Sequence, residues 1–95
     1  PIAVKDIIGT LDMPTECGTV FRKKMPSSQD SEIVNLLKTA GAIIMGKTVT
    51  CELAYIHPSK TTNPHDYSRT PGGSSSGSAA VIASHMAHLS IGSQN

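Results

Sequence analysis

Apolar positions in this chain fall into short runs divided by polar, turn-forming stretches, and their period changes along the sequence. Residues 1–4 (Pro-Ile-Ala-Val) form a β-type run that stops at Lys5-Asp6. Residues 7–18 wind, punctuated by Gly9, Pro14 and Gly18, with Thr10, Asp12 and Thr15 as turn formers. Residues 22–29 are polar, carry Pro26 and read as a loop. From Asp30 the period becomes helical: Ile33, Val34, Leu37 and Ala40 share a face, Asp30 can accept a first-turn N–H, and Gly41 closes the element as a left-handed cap. This predicts a helix over residues 30–40. Residues 42–45 (Ala-Ile-Ile-Met) are the compact apolar run of a buried parallel strand.

The second half is punctuated differently. Residues 48–55 predict a short helix, and residues 57–69, with Pro58 and Pro64, an extended surface loop. After Pro71 a Gly/Ser-rich stretch leads into small residues, predicting a helix over 77–87 that packs close to a neighbouring backbone. Residues 89–91 begin another strand. Strand, helix and strand in this order give a βαβ-like unit, and hence an α/β fold with the 42–45 strand beside the one ending at Lys5.

Composition alters the picture. The chain has 95 residues, 38% hydrophobic but only 3% aromatic, with Phe21, Tyr55 and Tyr67 and no Trp. Aromatic side chains supply the largest single burials in a core, and a domain this small hides only about 60–65% of its unfolded surface. The missing apolar surface is therefore expected on a partner, either another subunit or the rest of the same chain. A net charge of +1 provides no electrostatic footprint for nucleic acid or an anionic membrane. Cys17 and Cys51 are too few for a disulfide scaffold and fit no metal-ligand spacing, pointing to a reducing, cytoplasmic compartment. No apolar run approaches the ~20 residues of a membrane helix. Pro1 opens inside an apolar run with no basic segment before it, so the chain reads as cut at its start.

Several groups of residues are candidates for chemistry. Gly72-Gly73-Ser74-Ser75-Ser76-Gly77 has the composition of a linker, but it sits between a proline-terminated loop and a helix of small residues. There, glycines allow close approach, and hydroxyls and free N–H groups gather at a helix start. Residues 41–48 (Gly-Ala-Ile-Ile-Met-Gly-Lys-Thr) match the phosphate-loop pattern letter for letter. Yet a helix precedes them and the middle residues read as a strand, so context opposes nucleotide binding and leaves Lys47 structural. His85 and His88, three apart, could share a helix face but lack an acidic or thiol partner nearby, while His57 and His65 belong to a solvated loop. Cys17 and Cys51 read as small buried thiols. Lys5 directly after a buried strand would ordinarily turn outward; beside serines, a lysine neutralised by burial could act as a base.

Taken together, these segments resemble the amidase signature family. Pro-Ile-Ala-Val-Lys5-Asp6 is similar to the segment carrying the family's catalytic lysine. Ala40 to Thr48 with Glu52-Leu53-Ala54 is similar to its strand and turn, and Asn63-Pro64 through Arg69-Thr70-Pro71-Gly-Gly-Ser-Ser-Ser-Gly-Ser78-Ala-Ala80 to its hallmark. The likeness runs from end to end. It implies a mixed, largely parallel sheet covered by helices, in a single partial domain over 1–95 that is truncated at both ends. It makes Lys5 the general base and Ser74 the bridging serine after a cis Gly73–Ser74 bond. Ser75 and Ser76 are then supporting hydrogen-bonding groups and Gly72 and Gly73 the turn beside substrate. The nucleophilic serine falls just past Asn95, with residues 92–95 as its lead-in, so the isolated chain is expected to be inactive.

The implied chemistry is hydrolysis of a small-molecule amide to acid plus ammonia or amine, with no cofactor and no metal. A glutamine-hydrolysing subunit of a tRNA-dependent amidotransferase and a non-catalytic amidase-like scaffold are the alternatives; in none does this chain contact nucleic acid or membrane directly. A relay also requires Lys5 and Ser74 within ~2.6–3.2 Å, which a strand end facing the start of the 77–87 helix would provide.

Overall fold

A computed structural model describes residues 1–94 of the chain. Strands and helices alternate along it: β1 (Ile2–Lys5), α1 (Glu32–Thr39), β2 (Ile44–Thr48), α2 (Ser76–Ala83) and β3 (Leu89–Ile91), with a short 3-10 turn at Glu52–Ala54. The strands form a parallel sheet in the order β2-β1-β3, with Ile2 opposite Ile44 on one side and Leu89 on the other. β1 is the central strand and every residue in it is buried, so it reads in the sequence as an unbroken apolar run until it meets a lysine.

The chain leaves β1 for β2 through α1, then returns across β1 to β3 through α2. Right-handed crossovers running in opposite directions place their helices on opposite faces of a sheet. Alternation along β1 agrees. Ile2 and Val4 join Val34 of α1 in the core, with Ile8, Leu37, Ala42, Ile44 and Ile91 packed around them, while Ala3 and Lys5 face α2. The small residues of α2 let it lie against all three strands. Gly77 makes the tightest approach: its N–H donates to the Val49 carbonyl at 2.8 Å, and a Cβ there would overlap the Val49 backbone. The Thr48 and Ser78 hydroxyls, 2.6 Å apart, fasten β2 to the same helix.

Four expected elements shift: the short helix over 48–55 is only the 3-10 turn at Glu52–Ala54, since β2 runs on through Thr48, and three others move for visible reasons. The helix expected over 30–40 spans Glu32–Thr39, with Ser31 at its N-cap and no side-chain capping bond. Asp30 does not cap it. Its carboxylate accepts the Leu11 N–H at 2.7 Å and the Lys38 ammonium at 2.9 Å, tying the winding segment to the helix. Gly41 does close α1, at φ 91°, as Ala42 N–H donates to Leu37 O and Gly41 N–H to Lys38 O, both at 3.0 Å. Because Ala42 is used in that turn, the strand expected over 42–45 lies at Ile44–Thr48 instead.

The helix expected over 77–87 occupies Ser76–Ala83. The same double bond pattern ends it, Met86 N–H to Val81 O at 2.9 Å and His85 N–H to Ile82 O at 3.0 Å, but here a histidine takes the left-handed position at φ 59°. His85 and His88 therefore do not share a helix face. Apolar side chains also lie open along both sheet edges: Met45 on β2 is 51% exposed and Leu89 on β3 61%.

These contacts predict that Gly77→Ala, which must displace the Val49 backbone, lowers unfolding stability by about 1–3 kcal/mol. Gly46→Ala, where a Cβ meets nothing within 4 Å, should stay within about 0.5 kcal/mol of the parent in the same denaturant titration.

Candidate active site

Lys5 is the last residue of β1, so strand alternation carries its side chain to the α2 face at the carboxyl edge of the sheet. It is fully buried (0% exposed). Its Nζ lies 2.6 Å from Ser74 Oγ and 2.8 Å from Ser93 Oγ, with the Ser93 carbonyl at 3.4 Å. Ser74 stands two residues before α2 and Ser93 two residues after β3. The residues following β2 complete the arrangement, because Cys51 N–H and Thr50 Oγ1 both donate to the Ser74 carbonyl, at 2.9 and 3.2 Å. All three strand ends thus meet at one edge, where open α/β sheets place their ligands.

The glycine-rich stretch is the ordered entrance to α2. Gly72 has φ 85°, the Gly73–Ser74 peptide is cis, and a Cβ on Gly73 would stand 2.6 Å from Cys51 Sγ. Ser75 Oγ accepts the Ser93 N–H at 3.1 Å and donates to the Ser93 carbonyl at 2.9 Å, pinning the segment after β3 to the start of the helix. Ser76 Oγ lies 2.7 Å from Ser59 Oγ and so anchors the long polar loop. A cleft of about 340 Å³, lined in part by Ser74, Gly72, Gly73, Cys51, Tyr55 and Ile56, opens beside these groups, within the size range of small-molecule sites.

Burial pushes the Lys5 ammonium down from its ordinary range, and the neighbouring Cys51 thiol acts in the opposite direction. Among the described residues no carboxylate pairs with Lys5. Desolvation without a counter-charge favours the neutral amine, and a neutral amine has a lone pair that can accept a hydroxyl proton. The geometry therefore sets a buried amine in contact with two hydroxyls, one of them on the wall of a cleft.

Lys47 is the contrasting case. Its Nζ donates to Ile8 O and Thr15 Oγ1, both at 2.9 Å, and to Thr10 Oγ1 at 3.1 Å, and it pairs with Asp6 at 3.3 Å. It is a cross-brace that holds the winding segment to β2. Gly46, Lys47 and Thr48 all lie within the strand, so the phosphate-loop pattern has no loop here. His85 and His88 are both exposed, and among the described residues no cluster of three His, Cys, Asp or Glu side chains could hold a metal. Cys51 is buried, as expected of a small thiol, whereas Cys17 is only half-buried, in a turn at φ 56°.

Lys5, Ser74, Ser75, Ser76, Gly72 and Gly73 thus come together. Ser93, Thr50 and Cys51 join them without any motif having marked them. Ser93 lies 88 positions from Lys5, and its only signal was its place in the lead-in segment, of which Asn95 lies outside the described residues. A family model for amidases matches residues 1–94.

The chain belongs to the amidase family. It is 42% identical over 99 residues to a glutamyl-tRNA(Gln) amidotransferase subunit of Sulfurihydrogenibium sp. (strain YO3AOP1), a match covering 98% of this chain and 20% of that protein. It is 44% identical over 102 residues to the putative amidase AmiA2 of Mycobacterium tuberculosis (strain ATCC 25618 / H37Rv), again covering 98% of this chain and 20% of the relative. Among solved structures, the peptide amidase PAM in complex with the competitive inhibitor chymostatin superposes with a TM-score of 0.89 at 33% identity, over 97% of this chain and 21% of that one. The chain spans about a fifth of the length of the relatives it matches.

The Lys5 environment predicts a titration midpoint for its amine below the ~10.4 of a free lysine. Nitrogen-detected NMR of the Lys5 side chain, assigned through Lys5→Arg, checks it; a midpoint at or above the free value would contradict the burial argument.

Proposed function

We propose that this segment belongs to an amide hydrolase that works through a Ser-Ser-Lys relay, with Lys5 as base and Ser74 as the bridging hydroxyl. The observation that carries the reading is the 2.6 Å approach of Lys5 Nζ to Ser74 Oγ across 69 positions of sequence. On this reading residues 1–95 are one partial domain, and the attacking serine comes from a segment beyond them, so the 95-residue chain alone does not turn over amides. Neutral Lys5 accepts the Ser74 proton as Ser74 accepts the proton of the attacking serine, which adds to the amide carbonyl. Backbone N–H groups hold the oxyanion. The proton then returns through Ser74 to the leaving nitrogen, which departs as ammonia or an amine. Water repeats the relay to free the acid, and Lys5 ends neutral as it began.

Ser75 holds the segment leading to the nucleophile, Ser76 holds the loop that walls the cleft, and Gly72 and Gly73 leave room for substrate beside Ser74. The substrate is a small carboxylic amide and the compartment is the cytoplasm. Membership of the amidase family and the cleft beside Ser74 support this reading over a non-catalytic scaffold.

A second reading, the glutamine-hydrolysing subunit of a tRNA-dependent amidotransferase, draws on the likeness to the glutamyl-tRNA(Gln) amidotransferase relative. Ammonia release from glutamine against simple aliphatic and aromatic amides by the full-length protein separates the two.

In the full-length protein, Lys5→Ala and Ser74→Ala should each lower kcat/KM by about 10³-fold or more, since members of a relay act as a unit. Lys47→Ala should cost far less; the reverse ranking would identify the wrong base. Because the base must be neutral, kcat/KM should fall as pH drops through the Lys5 pKa, with that acid limb below ~10.4. Lys5→Arg, charged at every accessible pH, should recover nothing at high pH.

A further inference from the structure

Thr50 belongs to no motif, yet it stands behind the hydroxyl on which the relay turns. It follows β2, is 2% exposed, and its Oγ1 lies 3.2 Å from the Ser74 carbonyl and 3.0 Å from that of Cys51. The Ser74 carbonyl also accepts the Cys51 N–H at 2.9 Å. Ser74 depends on such anchors because the two residues before it are glycines. Gly72 sits at φ 85° with nothing within 4 Å of where a Cβ would be, and Gly73 lies against the Cys51 sulfur, so the approach is held only from the residues that follow β2.

Thr50 is itself held from behind. Gly18, at φ 70°, packs so closely that a Cβ there would lie 2.7 Å from the Thr50 carbonyl. The adjoining Cys17 carbonyl accepts the Leu53 N–H at 2.8 Å, on the far side of Thr50 in sequence. The turn at 17–18 therefore backs Thr50, Thr50 backs Ser74, and Ser74 faces Lys5.

We infer that Thr50 is a positioning residue for this reaction: its hydroxyl fixes the Ser74 main chain so that Ser74 Oγ stays within reach of Lys5 Nζ. The inference rests on the reading of Ser74 as the bridging hydroxyl. A contact of 2.6 Å leaves little slack, and displacing a reacting group by about 1 Å can cost on the order of 10²-fold in rate. Valine has the shape of threonine without its donor. Thr50→Val therefore leaves the packing and one of the two anchors on Ser74 while removing the other.

The test is steady-state kinetics on the full-length protein, using whichever of propionamide, benzamide and glutamine it hydrolyses fastest. Thr50→Val should lower kcat by about tenfold or more and leave KM within about twofold, because the loss falls on the chemical step. Thr50→Ser, which keeps the hydroxyl, should return kcat to within about threefold of the parent. Thr50→Ala gives the same comparison should the valine variant fail to fold. A kcat within about twofold of the parent in the donor-free variant overturns the inference. So does a loss that serine does not rescue and that raises KM equally, which marks a structural role. Ser74→Ala run alongside separates the two levels: an active Ser74→Ala protein sinks the relay itself, whereas an inactive one beside a normal Thr50→Val sinks only the role of Thr50.

Discussion

The constraint on which this structure turns is a wholly buried lysine amine that, among the described residues, has no carboxylate paired with it. β1 is the central strand of a parallel sheet, and its last side chain is wholly buried between the sheet and the start of α2. Such a site disfavours the charged amine, so what surrounds Lys5 must be polar enough to satisfy an amine yet supply no carboxylate. Hydroxyls meet both conditions. Ser74 and Ser93 approach Nζ from opposite ends of the unit formed by α2 and β3, and a small hydroxyl can both donate and accept. The serine-rich composition around α2 is the physical answer to a buried lysine.

That answer depends on close packing. Ser74 reaches Lys5 only if the helix following it lies tight on the sheet, and Gly77 against Val49 with Ser78 against Thr48 brings it there. Lys47 supports the same region by gathering the winding segment onto β2. These two lysines, on neighbouring strands of one sheet, illustrate how environment assigns function. Lys47 has a carboxylate beside it and four oxygen acceptors, and works as a charged brace. Lys5 has hydroxyls and a thiol nearby, and its ammonium is pushed down.

The sequence made legible whatever is encoded locally. The apolar run before Lys5, the helical period through Val34 and Leu37, and the glycine closing α1 all describe contacts within a few residues, and the structure has them. Boundaries failed where a local signal was overridden or missing. Asp30 looks like a cap, but its carboxylate goes to Leu11 and Lys38. His85 takes a backbone conformation that glycine would have announced. The residues around Lys5 and Ser74 divide in the same way. Ser74 stood in a motif and was found by resemblance, while Thr50 and Ser93 matter through contacts 24 and 88 positions away. No spacing rule reaches that far, because only the two crossovers bring those strand ends together.

The central claim is that Lys5 and Ser74 act as one proton path. A double-mutant cycle measures this most directly, with kcat/KM determined for the full-length parent, Lys5→Ala, Ser74→Ala and the double variant. Members of one path fail together, so the double variant should be within a few-fold of the more damaged single, about 10³-fold or more below the parent. Losses that multiply, with the double variant lower than either single by the full product, would mean that the two groups act independently and would contradict the relay.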